Sequence, residues 1–401
     1  MRLGLSFLKS SKSFGLIELL YAFLPILAGY TLGGLPFALL FVIVLSFVAF
    51  HRTGRLWIYK PYLLLFFYII FHELILSLTM PFLPSYHINR TIHLSISLLS
   101  PIFIVPALNY KRYFNALIVV AIISGLGLIY HFILIQSGNL VTPLTLPFLP
   151  VEEEKTRLMQ ELARPKSFYA EPAAFATFMV VPLFYALKEK KYLWSVAIVI
   201  LLFLSTSTTA VIESAIIVVV YMMMTLSGKN KGRSIFLVLL FIAVGFFILH
   251  SSLFEATFQK IDNTEVDENA RLMNGLLVLP HVNAKYLIFG VNSPNINDFV
   301  FENHLQSFMY YSSSGYNSFL FVPTFWFMLI KYGLVGLWIY LQMYYDFYKR
   351  DKEILPYILC LVVSWFFQGL ALSMVFTFQI STIAAFLNRE GRIQHEIKRV
   401  V

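Results

Sequence analysis

Charge is what this sequence lacks most. Only 13% of its 401 residues are Asp, Glu, Lys or Arg, about half the share found in soluble domains. Hydrophobic residues make up 59%, so there is too little polar surface to cover a water-soluble fold, and that class is excluded. Cysteine occurs once, as Cys360 inside an apolar run, which rules out a disulfide framework or a thiolate metal cluster. No Gly-rich phosphate loop ending in Lys, no Asp-x-Asp pair and no metal-ligand spacing is present, which argues against ATP-driven transport and nucleotide-sugar chemistry. The first apolar stretch follows Lys9 and Lys12 without a small-residue cleavage site, so it is expected to stay as an uncleaved anchor.

What is abundant is long apolar sequence. The runs are continuous rather than amphipathic, and most reach the roughly 20 residues that a helix needs to cross a bilayer. They predict an all-α polytopic membrane protein forming a single membrane domain over 1–401. Helices are expected near 14–30, 32–50, 61–81, 91–109, 114–136, 171–187, 192–208, 210–227, 234–252, 317–345, 354–373 and 375–388, about twelve spans. Counted against this topology, 21 basic residues fall in segments on one side, including Arg52, Arg55, Lys60, Lys188, Lys349, Arg350, Arg389 and Arg399, and 8 on the other. Cytoplasmic loops collect Lys and Arg, so both termini are expected in the cytoplasm. The net charge of +9 follows from that asymmetry, and nucleic acid is not an expected partner.

Two segments break the short-loop pattern, 137–170 and 253–316, both on the outer side. Loops of this length are uncommon unless functional or disordered, and each carries apolar residues at helical spacing. Short amphipathic helices are expected at 151–163 and 269–279. Arg164, Lys166 and Arg271 lie in these loops against the general charge bias. They form a candidate clamp for a phosphate-bearing anion, or else pair with neighbouring acids such as Glu161 and Glu268 or with lipid head groups. Glu171 precedes Pro172 at the start of a helix, which suits either an N-terminal cap or a carboxylate acting as base or orienter beside Arg164 and Lys166. Phe299, Phe301, Tyr310, Tyr311 and Tyr316 offer stacking surfaces for sugars, although an interfacial belt is the commoner explanation for each of them.

The stretch Arg164-Pro-Lys-Ser167-Phe168-Tyr-Ala-Glu171-Pro172-Ala-Ala-Phe-Ala176 resembles an Arg-x-x-Ser-Phe-x-x-Glu-Pro-x-x-x-Ala pattern of bacterial O-antigen polymerases, and more distantly of O-antigen ligases. Arg271 followed by Phe289-Gly290 resembles a second feature of that family. Tyr316-Asn317-Ser318-Phe319-Leu320 and Tyr332-Gly333-Leu334-Val335-Gly336 are similar to its His-Asn-x-x-Leu and Tyr-Gly-x-x-Gly motifs. The chain departs from the pattern at Ala173, where Ser is common, and at Tyr316, where His is expected; His304 is then the nearest histidine in that loop.

The resemblance implies a glycosyltransferase of the bacterial inner membrane with two large periplasmic loops, similar in fold to the lipid-dependent, GT-C-like class. It would polymerise undecaprenyl-pyrophosphate-linked repeat units at the periplasmic face, passing the growing glycan to the nonreducing-end sugar of the next repeat. Donor and acceptor are both lipid-linked, no metal or cofactor is required, and a chain-length regulator is a candidate partner besides membrane lipids. Arg164, Lys166 and Arg271 would bind pyrophosphate, with Glu171, His304, Tyr316 and Asn317 as the catalytic candidates. An O-antigen ligase differs only in its acceptor. The rival class is a lipid-linked oligosaccharide flippase or secondary transporter. His72, Glu73, His131, Glu213 and Lys331 lie inside expected spans, where ionisable residues are functional candidates, but the sequence shows no internal repeat or paired broken helices.

Overall fold

The computed structural model describes residues 15–32, 35–79, 85–139, 144–146, 149, 164–169, 171–226, 246, 270–309, 311–312 and 319–400. Fifteen α-helices are found among them: α1 (Leu16–Ala22), α2 (Leu24–Leu27), α3 (Phe37–Thr53), α4 (Lys60–Thr79), α5 (Ser85–Ile104), α6 (Tyr110–Gln136), α7 (Pro172–Lys188), α8 (Tyr192–Leu204), α9 (Thr208–Leu226), α10 (Ala270–Val278), α11 (Ala284–Phe289), α12 (Ile296–Glu302), α13 (Thr324–Arg350), α14 (Leu355–Ser364) and α15 (Met374–Leu387). Their ends follow local chemistry. Gly54 takes the left-handed conformation that stops α3, Asn109 caps α6 by accepting from the Arg112 N–H, and Pro172 occupies the first turn of α7. Strands are two-residue and three-residue pieces: Thr31–Leu32 with Leu35–Pro36, Tyr311–Ser312 with Phe319–Leu320, and Arg55–Trp57 with Ile397–Arg399.

Five of these helical segments are long and apolar enough to cross a membrane: Lys60–Thr79, Tyr86–Ala107, Tyr110–Gln136, Thr208–Thr225 and Thr324–Arg350. Four shorter apolar helices accompany them, α3, α7, α8 and α15. The faces of α4 show why a bilayer is needed. Tyr62, Leu65, Ile69, Glu73 and Leu76 are buried, whereas Leu64, Phe67, Phe71, Leu74 and Leu78 form an exposed stripe, Leu78 at 85%. An apolar stripe along a whole helix is untenable in water and suits lipid.

Several helices depart from the runs in the sequence. The stretch over 14–30 breaks at Phe23, because Pro25 has no N–H to continue the ladder. The helix expected at 91–109 begins earlier, at Ser85 after Pro84, so Arg90 belongs to a span and not to a loop. The run over 354–373 stays helical only to Ser364. Thr324 from α13 captures the unwound segment: its hydroxyl donates to the Gln368 carbonyl (2.7 Å) and accepts from the Leu370 (2.8 Å) and Ala371 (3.1 Å) N–H groups. Gln368 and Ser364 also donate to buried Glu213 of α9, at 3.0 and 2.5 Å, and Thr177 of α7 donates to Gln368 at 2.8 Å. Within α13, Gly333 is non-helical (φ 71, ψ −178). These two interruptions are broken helices of the kind the sequence alone did not disclose. A helix occupies Ala270–Val278, as expected; the expected helices at 151–163 and 234–252 lie outside the described residues.

The bundle has two distinct ends. At the basic end, Arg350 meets Asp346 (2.7 Å) and Glu396 (2.5 Å), Arg389 meets Glu353 (2.9 Å), Arg392 meets Asp351 (3.4 Å), and Lys188 also pairs with Glu353. The Trp57 indole donates to Glu396 (3.0 Å) and the Tyr110 hydroxyl to Glu189 (2.7 Å). Residues 55–57, 110, 188–189, 346–353 and 389–399 are thus gathered together, the same segments that the basic-residue count assigns to one side. At the opposite, loop end lie residues 79, 85–93, 131, 164–169, 171 and 284–298.

Candidate functional site at the loop end

The Arg164 to Glu171 stretch is seated on α6. His131 is buried, and its Nδ1 accepts the backbone N–H groups of Lys166 (3.4 Å) and Ser167 (3.2 Å), so that nitrogen carries no proton. Ser167 takes a left-handed φ of 57°, and a Cβ at Gly127 would strike its hydroxyl, so a small residue is needed there. Tyr169 is buried, 3.4 Å from the Ser124 hydroxyl and stacked on Phe178. His131, a candidate for intramembrane ion chemistry, here organises backbone.

Lys166 is fully buried and Arg164 and Glu171 are half-buried. Burial pulls the Lys166 ammonium down to about 8, with Glu171 near enough to favour its charge and Arg164 near enough to oppose it. Glu171 stands at the N-cap of α7, yet its side chain makes no capping hydrogen bond. Three of the candidate residues are therefore brought together. Arg271 is the second residue of α10, and its side chain lies outside the described residues. His304 is exposed on a turn after α12 with φ 55°, and Tyr316 and Asn317 lie outside the described residues. Phe299 is buried under α12, while Phe301 is exposed.

A second, denser group forms where α4, α5 and α13 meet. Glu73 Oε1 accepts from the Tyr332 hydroxyl (2.8 Å) and faces Lys331 Nζ at 3.4 Å. Lys331 donates to the Ser293 carbonyl (2.7 Å), and His87 Nδ1 stands 3.7 Å from Glu73 Oε2. His87 Nε2 meets the Ser77 hydroxyl at 3.1 Å, and His72 lies edge-on to Tyr332. All of Glu73, His87, Lys331 and Tyr332 are buried.

Gly290 and Gly333 put this group at the mouth of the bundle. A Cβ on Gly290 (φ 97°) would land on the Lys331 carbonyl, and one on Gly333 (φ 71°) on the Ile288 carbonyl, so only glycine permits this approach. The Phe289-Gly290 and Tyr332-Gly333 pairs are thus pressed together. The Val291 N–H donates to the Ile330 carbonyl (3.0 Å) and the Tyr68 hydroxyl to the Tyr332 carbonyl (2.7 Å), which satisfies groups that the break in α13 releases.

Beside them opens a cavity of about 410 Å³ lined by Arg90, His93, Leu94, Ser97, Asn295, Phe327, Tyr332, Ala371, Leu372 and Ser373. Its walls mix one cation, one imidazole, hydroxyls, an amide and aromatic faces, the combination that holds a polar, anionic ligand against a ring. Arg90 donates to the Pro294 carbonyl and lies over the Phe327 ring at 6.0 Å. Among the described residues, no carboxylate forms an ion pair with it. Sequence reasoning placed Arg90 in a loop and passed over His87 and His93. The signal was the spacing of His87, Arg90, Leu94 and Ser97, one helical face, obscured because polar residues at the start of α5 make its run look shorter.

No protein-family model matches this chain, and no curated protein sequence matches it. No group of three or more His, Cys, Asp or Glu able to hold a metal occurs among the described residues.

Proposed function

We propose that this protein is a lipid-linked oligosaccharide transferase of the O-antigen polymerase type, with about twelve spans and a GT-C-like arrangement, working at the periplasmic face of the bacterial inner membrane. The observation that carries this reading is the cavity at the loop end, where Arg90, His93, Asn295 and Tyr332 converge beside two interrupted helices. Tyr332, from one of the two glycine pairs that resemble the polymerase motifs, lines the cavity, and the other pair, Phe289-Gly290, packs against Tyr332-Gly333.

In this reading the donor's pyrophosphate lies against Arg90, with Arg164, Lys166 and Arg271 as further cations on the approach. The acceptor sugar hydroxyl attacks the donor's anomeric carbon. A new glycosidic C–O bond forms, the bond from that carbon to the pyrophosphate oxygen breaks, and undecaprenyl pyrophosphate leaves as the anion. The hydroxyl proton passes to His93, or to Glu171 if transfer takes place nearer Lys166. Fixed cations act on the leaving oxygen as its charge builds, and removing one such group typically costs about 10²–10³ in rate. Exposed His304 has no comparable setting.

A transport reading is favoured by one observation: the buried Glu73–Lys331 pair lies next to the break in α13, and carriers bind ions at discontinuous helices. One assay separates the two. Purified protein in liposomes receives undecaprenyl-pyrophosphate-linked repeat units without nucleotide, and products are resolved on a gel. A ladder of lengthening glycans is expected, lost in Arg90→Ala at unchanged folding. Wild-type ladders from Arg90→Ala would overturn the cavity assignment, and translocation of the substrate without a ladder would overturn the transferase.

A further inference from the structure

The basic end carries a second feature that the transferase reading does not use. Four of its cations, Lys188, Arg350, Arg389 and Arg392, consume the local acids Asp346, Asp351, Glu353 and Glu396. Hydrogen bonds from Lys188 and Arg389 outweigh burial and hold Glu353 below the usual carboxylate range. The ribbon of Arg55–Trp57 against Ile397–Arg399 is different. Its register sets Arg55 directly opposite Arg399 and Lys398 opposite Leu56. Like charges across a strand pair are destabilising, yet the ribbon is held on both flanks, by Ile58 N–H to Glu396 O (2.7 Å) and Val400 N–H to Gly54 O (2.9 Å).

Arg52, Arg55, Lys60 and Lys398 are exposed, and among the described residues none of them is ion-paired with an acid. The ribbon also joins α3 directly to α4. Both helices turn apolar side chains outward within a few turns of it, Phe47 and Val48 on α3 and Leu64 and Phe67 on α4. Exposed Ile58 and Val400 extend that apolar surface into the ribbon. A basic strip continuous with a lipid-facing surface sits at headgroup level, where Lys and Arg reach toward the interface.

We infer that Arg55 and Lys398 of the Arg55–Trp57/Ile397–Arg399 ribbon, with Arg52 and Lys60 beside it, form a binding site for anionic phospholipid headgroups, which supply counter-charge to these four exposed cations. An acidic peptide or a nucleic acid matches the charge, but neither matches the adjoining apolar strip.

The test uses the full chain in neutral detergent, titrated with phosphatidylglycerol, phosphatidylcholine or inorganic phosphate. Thermal midpoint and lipid retention by native mass spectrometry are followed. Phosphatidylglycerol is expected to raise the midpoint and stay bound, while the other two do neither. Arg55→Gln/Lys398→Gln should weaken phosphatidylglycerol binding roughly five-fold for each cation removed. Lys285→Gln, exposed at the loop end, should leave it unchanged. If the double variant does not fold, exposed Lys398→Gln alone carries the comparison. Equal stabilisation by phosphatidylcholine, the same response to phosphate, or undiminished binding in the ribbon variants would each overturn the inference.

Discussion

Replacing Lys331 with Met probes the loop-end site most sharply. Lys331 Nζ lies 3.4 Å from Glu73 and 2.7 Å from the Ser293 carbonyl, with both side chains buried. Removing the cation leaves a buried carboxylate with the Tyr332 hydroxyl at 2.8 Å, His87 at 3.7 Å and the more distant Arg90 guanidinium, but without its direct charge partner. Breaking a buried pair from one side costs about 3–5 kcal/mol, because the remaining charge is uncompensated. Glu73→Gln should also destabilise from the other side, since Lys331 loses its adjacent negative charge and keeps the Ser293 carbonyl and neutral amide contacts. The double variant Lys331→Met/Glu73→Gln removes both charges and still offers Tyr332 an amide oxygen. Exchanging a whole buried pair for neutral groups is often nearly neutral, so the double variant should be more stable than either single one. Unfolding in mixed micelles of graded denaturing detergent reads these differences. Losses in the double variant equal to the sum of the singles would refute the idea that the two charges compensate one another.

Two further outcomes follow from the same geometry. Gly333→Ala forces a Cβ onto the Ile288 carbonyl at a φ of 71°, a conformation that costs a non-glycine residue about 1–3 kcal/mol before the clash is added; Gly369→Ala, which meets only ordinary contacts, is the control, and equal melting of the two would refute the close approach. Lys166 sits at about 8 against an ordinary 10.5, so below that value it is a cation and above it neutral. Transfer should therefore fall as pH rises through about 8 if Lys166 helps to hold the anion, and Lys166→Arg should flatten the profile. Stability runs the other way: between the two values the unfolded chain binds more protons, so this group's contribution rises with pH.

The helices were legible because bilayer-length apolar runs have few alternatives, and the sorting of basic residues agrees with the segments gathered at the basic end. Phe289-Gly290 and Tyr332-Gly333 were legible as separate motifs, but their contact is tertiary and no spacing announces it. The break after Ser364 was hidden for the same reason: the hydroxyl that holds it belongs to Thr324, 46 residues before Leu370. Arg90 was assigned to a loop because His87, Asn89, Arg90 and His93 dilute the apolar run, although His87 is turned toward Glu73 and Arg90 and His93 toward the cavity. Glu171 was readable as a cap or as a reactive carboxylate, and the missing capping bond leaves the second role open to test.

Both interruptions, at Gly333 and at 365–373, border the same cavity, and that placement bears on the choice between transferase and carrier. Irregular backbone at membrane depth survives only where protein or a cavity satisfies it. Here Val291, Tyr68 and Thr324 do so, all at the loop end. A carrier has to open toward each side in turn. The basic end opposes this, because Glu396 is tied at once to Arg350 and Trp57, Glu353 to Lys188 and Arg389, and the ribbon links the last residues to the loop between α3 and α4. Opening that end would break several charge-assisted bonds together, whereas a transferase using substrates from one face needs only the loop end. Cutting the strap with Glu396→Gln/Glu353→Gln should therefore leave the length of the glycan ladder unchanged, and a ladder that changed with these bonds would indicate coupling between the two ends, as alternating access requires.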